Sequence, residues 1–327
     1  MATSRVAQTW NPQRYLRFGS QRLRPALDLL GQIETDYDID DDNDNDDDNR
    51  SRRRHRMQIV DIGCGTGNIT PFLRERWPQA KILCVDSSKE MLTEARKNHV
   101  AQGMIDMEMD VSNGNRYLEY QHSDFESFHR NMNTTMNITK DENDKNDDDD
   151  DESAAAIDLI YSNSALHWVG FDIHQSLLPY YMSLLHPQKG ILAFQIPDTR
   201  SQPSHLLMRQ AMEECGYQTL EHTVRSVTTE VDPQEYYDLL KPHCSQINMW
   251  TTQYIQVMPP SSENPIADFT ASTGLGPYLK ALGGDTTNEG KAFIAKYREL
   301  IQSQYPTQKY DGTTLFPFKR FFLIAQK

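Results

Sequence analysis

Residues 59–67 read Ile59, Val60, Asp61, Ile62, Gly63, Cys64, Gly65, Thr66, Gly67: an apolar run ending in a carboxylate, then three glycines on alternate positions. The run predicts a strand that stops in a glycine turn. Residues 68–76, with Ile69, Phe72 and Leu73 on one helical face, predict the helix that the turn feeds. Glycine permits positive φ and close approach of a ligand, while a helix N-terminus offers unpaired N–H groups and a positive dipole. Such a turn suits a nucleotide-type cofactor. A second strand, residues 81–86, ends in Asp86 about twenty residues beyond the loop, where a ribose-binding carboxylate belongs. Dinucleotide enzymes share that acid, but their phosphate loop spaces its last two glycines three apart. The closer spacing here favours a cofactor without a pyrophosphate.

Upstream, Trp10, Tyr15, Phe18, Leu23, Leu27 and Leu30 predict one or two short helices, with Pro25 in the first turn of one of them. Downstream, Ser88 can cap a helix whose apolar face includes Met91, Leu92 and Ala95. Strands are expected over residues 116–121, 157–162 and 190–196, with a helix over 173–185. Strands alternating with helices argue for an α/β fold, a mostly parallel sheet covered on both faces. The last third differs: strand-like runs at 247–258 and 313–326 flank helical stretches at 266–282 and 288–303. An antiparallel pair at the sheet edge, with a helical cap over the pocket, is expected.

The chain has 327 residues, but two blocks within it cannot add to a core. Residues 34–56 hold ten acids and five arginines, and residues 129–152 hold nine acids against three bases. Segments so poor in apolar side chains are expected to be disordered surface inserts. They carry most of the formal charge of −14; without them the chain stands near −3, so its acidity does not argue against an anionic substrate. No basic stripe with interleaved aromatics points to nucleic acid. The arginines at 50–56 balance the adjacent acids or form a localisation or anion-binding patch. Cys64, Cys84, Cys215 and Cys244 have no metal-ligand spacing, and no apolar stretch has the length of a signal or membrane span. A cytoplasmic monomer without metal is expected.

At subfamily detail the residues resemble a known family. The loop Asp61–Gly67 with Asp86 resembles class I S-adenosylmethionine-dependent methyltransferases. Trp10, Asn11, Pro12, Tyr15, Phe18, Arg22, Arg24 and Pro25 resemble the trans-aconitate 2-methyltransferases within that class. So do Asp158, Ser162, Asn163, Leu166 and Trp168; Gln195, Pro197 and Asp198; and His205, Met208 and Arg209. Near the C-terminus, Ala271, Thr273, Gly274, Leu275 and Pro277, then Gln304, Tyr305, Pro306, Phe316, Pro317, Arg320 and Phe322 continue the likeness. It departs at the two inserts, at His167 where glutamine is familiar, and in the longer stretch 101–116. The resemblance implies one Rossmann-like methyltransferase domain over 1–327, with an N-terminal helical lid at 8–31 and a cap at about 200–312.

It also implies S-adenosylmethionine as cofactor and a small polycarboxylate acceptor. Gly63, Gly65 and Gly67 would admit the donor's amino-acid part, and Asp61 would bind its ammonium directly or through water. Asp86 would accept both ribose hydroxyls; otherwise it is a helix cap, although Ser87 and Ser88 already serve. Asp124 or Asp110 would meet the adenine amine, or be a loop acid. Asn163 lies just past the fourth strand, at the carboxyl edge of the sheet where ligands of open α/β folds bind. Tyr15, His167 and Trp168 would position the acceptor, the last two having blander readings as a surface or capping histidine and a core aromatic. A polycarboxylate calls for guanidinium groups. Arg22 and Arg320 stand among aromatics and lead Arg24 and Arg209, with Tyr305 as a hydroxyl donor. An ionised acceptor carboxylate needs no general base. Another carboxylic acid or natural product as acceptor, or a non-catalytic protein acting through its acidic runs, are the competing readings.

Overall fold

The computed structural model describes residues 19–35, 57–105, 117–128, 156–199, 201–224, 231–260, 264–271 and 273–327. Most of the two acidic blocks, Tyr15 and Asp110 lie outside these. Seven strands run in chain order: β1 (Gln58–Ile62), β2 (Lys81–Asp86), β3 (Leu118–His122), β4 (Leu159–Asn163), β5 (Ile191–Pro197), β6 (Gln246–Met258) and β7 (Thr314–Gln326). They form one sheet ordered β3-β2-β1-β4-β5-β7-β6. The first five are parallel, whereas β7 lies antiparallel between β5 and β6. The expected edge pair is therefore present, in register from Gln246 opposite Gln326 to Met258 opposite Thr314. The order reverses between β1 and β4, so the carboxyl ends of those strands open a crevice for a ligand.

Nine helices are used below: α1 (Gly19–Gly31), α2 (Thr70–Arg76), α3 (Lys89–Ala101), α4 (Phe171–Leu184), α5 (Pro203–Glu214), α6 (Pro233–Leu240), α7 (Pro265–Ala271), α8 (Gly276–Ala281) and α9 (Asn288–Gln304). The near-continuous apolar central strands are buried on both faces, as a parallel sheet between helices requires. Leu178 and Tyr181 of α4 and Tyr236 and Leu240 of α6 pack with Val60, Ile160, Phe194 and Phe321 on one face. On the other, Ala26 and Leu29 of α1 and Leu73 of α2 pack with Ile59, Ile82, Tyr161 and Ile324. A third cluster joins α5, α7, α8 and α9 to Phe316 and Phe318 at the start of β7. Among the described residues no helix is long and apolar enough to cross a membrane.

Two expectations need correction. The helix expected at 266–282 is divided into α7 and α8, because Thr273 N–H and Leu275 N–H both turn back to Thr270 O and Pro277 can only occupy a first turn. Pro25 lies inside α1 rather than in its first turn. The helix tolerates it because the stripe Ala26, Leu29, Leu30 is buried on the sheet, and packing outweighs the lost hydrogen bond. Two further helices, α5 and α6, are short and begin with proline; Asp232 followed by Pro233, a capping carboxylate and a first-turn proline, is the sequence signal for the second.

Candidate active site

The glycine turn after β1 is hooked to the end of β2, with Gly63 N–H and Cys64 N–H both donating to Val85 O at 2.8 and 3.0 Å. Its glycines serve different ends. A Cβ at Gly67 would stand 2.4 Å from His99 Nε2, so packing demands glycine there, whereas a Cβ at Gly65 would meet nothing within 4 Å. Gly65, at φ +57°, faces open space: its backbone is presented to a ligand.

Around this opening stand the acids at the strand ends. Asp61 is 1 % exposed and its Oδ2 has no hydrogen-bond partner; burial, helped by nearby Asp86, pushes its carboxyl up to about 8. A buried carboxyl raised this far is poised to ionise against a cation. Asp86 accepts Gly65 N–H through Oδ2 at 2.9 Å and Ser88 N–H through Oδ1 at 2.8 Å. Burial raises its pKa, and those N–H bonds oppose the rise. Each carboxylate oxygen keeps a lone pair for a hydroxyl. Asp124 is exposed beside Asp86 at the end of β3, where Ser123 N–H donates to Asp86 O, and its Oδ1 caps the next turn through Ser127 N–H at 2.6 Å.

A second polar group lies beyond β4. Ser164, at φ +54°, is the only non-glycine residue with positive φ among those described. This uncommon geometry turns its hydroxyl between two partners: Arg320 Nη1–H donates to Ser164 Oγ at 2.6 Å, and so does Gln195 Nε2–H at 2.6 Å. Gln195 Nε2–H also reaches Asn163 Oδ1, and Gln195 Oε1 accepts from Arg320 at 3.2 Å. The guanidinium, 3 % exposed, lies 4.7 Å over the Phe318 ring. Asn163 and Arg320 are thus joined, across β5, into one network. Gln195, the bridge, stood in the sequence only as part of a resemblance.

Other candidates lie apart from this network. His167 is buried with its ring 5.0 Å from that of half-buried Trp168, in a single turn after β4. Tyr305 packs edge-on against Phe316 in the cap, and its hydroxyl accepts Ser204 N–H at 3.2 Å. Arg209 is exposed on α5; Arg24 is exposed with its guanidinium 5.2 Å over Tyr254, which donates to Asp28 Oδ2 at 2.6 Å. Arg22 lies on α1, its side chain outside the described set. No group of His, Cys, Asp or Glu among the described residues is placed to hold a metal.

The family description "Methyltransferase domain" matches residues 59–146. A trans-aconitate 2-methyltransferase of Azoarcus is 33 % identical over 97 % of this chain and 98 % of its own length. One of Escherichia coli is 31 % identical over the same shares. The chain belongs to the trans-aconitate 2-methyltransferase family. Its cofactor is S-adenosylmethionine, and the site fits that molecule on three counts: a buried carboxylate oxygen without a partner for a cationic amine, open space over Gly65, and a second carboxylate for hydroxyls.

In this methyltransferase two buried histidines that no sequence pattern flags hold the loops around the site. His99 Nε2 meets Gly67 O at 3.0 Å, while Nδ1 meets Tyr120 Oη. His174 Nε2 meets Leu166 O at 3.1 Å, while Nδ1 meets Tyr236 Oη at 2.7 Å. Burial lowers both pKa values, that of His174 to about 4. A neutral ring donates to a carbonyl from one nitrogen and accepts a tyrosine O–H at the other, so each links a helix to a loop of the site.

Proposed function

We propose that this chain methylates one carboxylate of trans-aconitate or a closely similar small polycarboxylate, forming the monomethyl ester. The observation that carries this reading is the buried guanidinium of Arg320, which donates to Ser164 and Gln195 on the network that reaches Asn163, beside the strand that bears Asp61. In this reading Asp61 takes the donor's ammonium, Gly65 with Gly63 and Gly67 admits its amino-acid part, Asp86 takes the ribose, and Asp124 the adenine. Arg320 and Arg22 grip carboxylates; Tyr15, His167 and Trp168 wall the transfer site. Tyr305, whose hydroxyl is engaged by Ser204, sets the start of α5.

When bound, S-adenosylmethionine supplies an electrophilic methyl group: a carboxylate oxygen forms the new C–O bond as the electrons of the C–S bond return to sulfur. No proton moves, so the protein needs no general base. Its task is to orient the anion in line and exclude water. Arg320 suits that task because a guanidinium fixes a carboxylate in plane and bidentately. The four free cysteines accord with a reducing compartment, which we infer to be the cytoplasm.

Arg320→Gln tests the reading. It should lower kcat/KM for trans-aconitate about 100-fold or more, as loss of a charged hydrogen-bonded contact does. Affinity for S-adenosylhomocysteine should stay near that of wild type. A folded variant with unchanged kcat/KM contradicts it.

A further inference from the structure

The segment leaving β5 carries polar atoms used neither by the donor site nor by the Arg320 network. Asp198 N–H donates to Lys319 O at 3.0 Å, so the register that sets Pro197 opposite Arg320 continues one residue beyond the strand. Asp198 pairs with Lys319 at 2.7 Å, and alternation then carries Thr199 to the side of Gln195 and Arg320. Thr199 is 1 % exposed, and its Oγ1 has no hydrogen-bond partner. Two tight turns, Gln202 N–H to Thr199 O at 3.0 Å and His205 N–H to Gln202 O at 2.9 Å, bring Thr199, Gln202 and His205 close together.

His205, in the first turn of α5, is 8 % exposed. Its Nδ1 lies 3.1 Å from Ser204 Oγ, which leaves Nε2 as the ring's other polar atom. The ring sits 6.4 Å from that of Phe318, the ring over which the Arg320 guanidinium lies. Gly274 flanks Nε2; a Cβ there would close to 3.4 Å. Burial pushes the imidazole down to about 4, so it is neutral near pH 7 and donates without adding charge. In the tautomer in which Ser204 O–H donates to Nδ1, the ring proton resides on Nε2, and this is the tautomer that an anion at Nε2 selects. Tyr305, which fixes Ser204, is a positioning residue one step behind.

We propose that Thr199 Oγ1 and His205 Nε2 bind a second carboxylate of the acceptor, beside the one gripped by Arg320, and so select polycarboxylates over monocarboxylates. This rests on the function proposed above. A buried hydroxyl left without a partner is costly unless something fills the need, and a carboxylate held by Thr199 and His205 does so.

The test measures kinetics with trans-aconitate and with a monocarboxylate for Thr199→Val, His205→Phe and His205→Gln, with S-adenosylhomocysteine affinity and melting temperature as folding controls. Thr199→Val and His205→Phe should each raise KM for trans-aconitate about tenfold, the worth of one hydrogen bond to a charged group, and leave kcat within about threefold. Monocarboxylate kinetics should not change, and His205→Gln, which can still donate, should recover most of the loss. Folded variants with unchanged KM, or with equal losses on both acceptors, overturn the inference alone. Wild-type protein that binds S-adenosylhomocysteine but methylates no polycarboxylate overturns the proposed function, and this inference with it.

Discussion

Asp61 is the residue at which the physics is sharpest. With its carboxyl near 8, it is mostly protonated at pH 7 in the free protein, and a cationic ligand amine beside it must drive the proton off. Binding of S-adenosylhomocysteine at pH 7 should release close to one proton, read from the dependence of calorimetric heats on buffer ionisation enthalpy; Asp61→Asn should abolish that dependence. Gly65→Ala and Gly67→Ala should separate ligand approach from packing. The first should fold yet lose donor affinity, whereas the second drives a Cβ to 2.4 Å from His99 and should lower the melting temperature. His174 gives a pH signature of opposite hand. Its folded pKa, about 4, lies below the unfolded 6.5, so the unfolded chain binds more protons in between. Its stabilisation is complete above pH 6.5 and is lost as pH falls towards 4, on the order of 3 kcal/mol at most. Urea denaturation at pH 7.5 and 5 should show the loss, and His174→Gln should flatten it. Asp61 and Asp86 were legible because a cofactor demands acids at fixed distances from a glycine turn. His99 and His174 were not, since their partners lie on other elements and leave no local period, and Thr199 was not, since its place is set by the register of β5 on β7.

Among the elements, the strands were the most legible. Their apolar runs are long, although burial does not follow residue type everywhere: in β6 Gln256 is buried while Ile255 and Val257 are exposed, and β7 is buried without alternation from Arg320 to Ala325. The helices α5, α7 and α8 were less so, being short, with proline at or near their starts and buried mainly against each other and α9, whereas α9 itself was expected at 288–303. The starts of these helices depend on close backbone contacts. At Gly290, in the first turn of α9, a Cβ would fall 2.0 Å from Gly284 O, a backbone atom that cannot step aside. Gly290→Ala should therefore destabilise by more than about 2 kcal/mol, visible as a lower melting temperature. The polar network joins three strands: Asn163 ends β4, Gln195 lies in β5, and Arg320 lies in β7 more than a hundred residues further on. The sequence marked Arg320 by its aromatic neighbours; which partners would orient it depended on β7 entering antiparallel beside β5.

At the scale of the whole molecule, charge and chemistry are separable. The two acidic blocks carry the excess of acids, while the rest of the chain is near neutral. Replacing residues 36–54 and 130–152 by short Gly-Ser linkers should keep kcat within about twofold and lower KM for a trianionic acceptor at low salt. The difference should vanish near 0.5 M salt, where screening removes long-range repulsion. Lost catalysis would instead tie the blocks to the site. Asp61 stands on β1 and the Arg320 network ends at Asn163 on β4, the two strands between which the order turns; in the proposed reading one crevice there holds the cationic donor and the anionic acceptor. The central claim is that this crevice esterifies a small polycarboxylate. Its most direct test incubates the protein with S-adenosylmethionine and trans-aconitate, then weighs the products by mass spectrometry beside parallel reactions with monocarboxylic acids. Trans-aconitate should gain the mass of one methyl group, and faster than any monocarboxylate is esterified; equal or faster methylation of the monocarboxylates would contradict a polycarboxylate site.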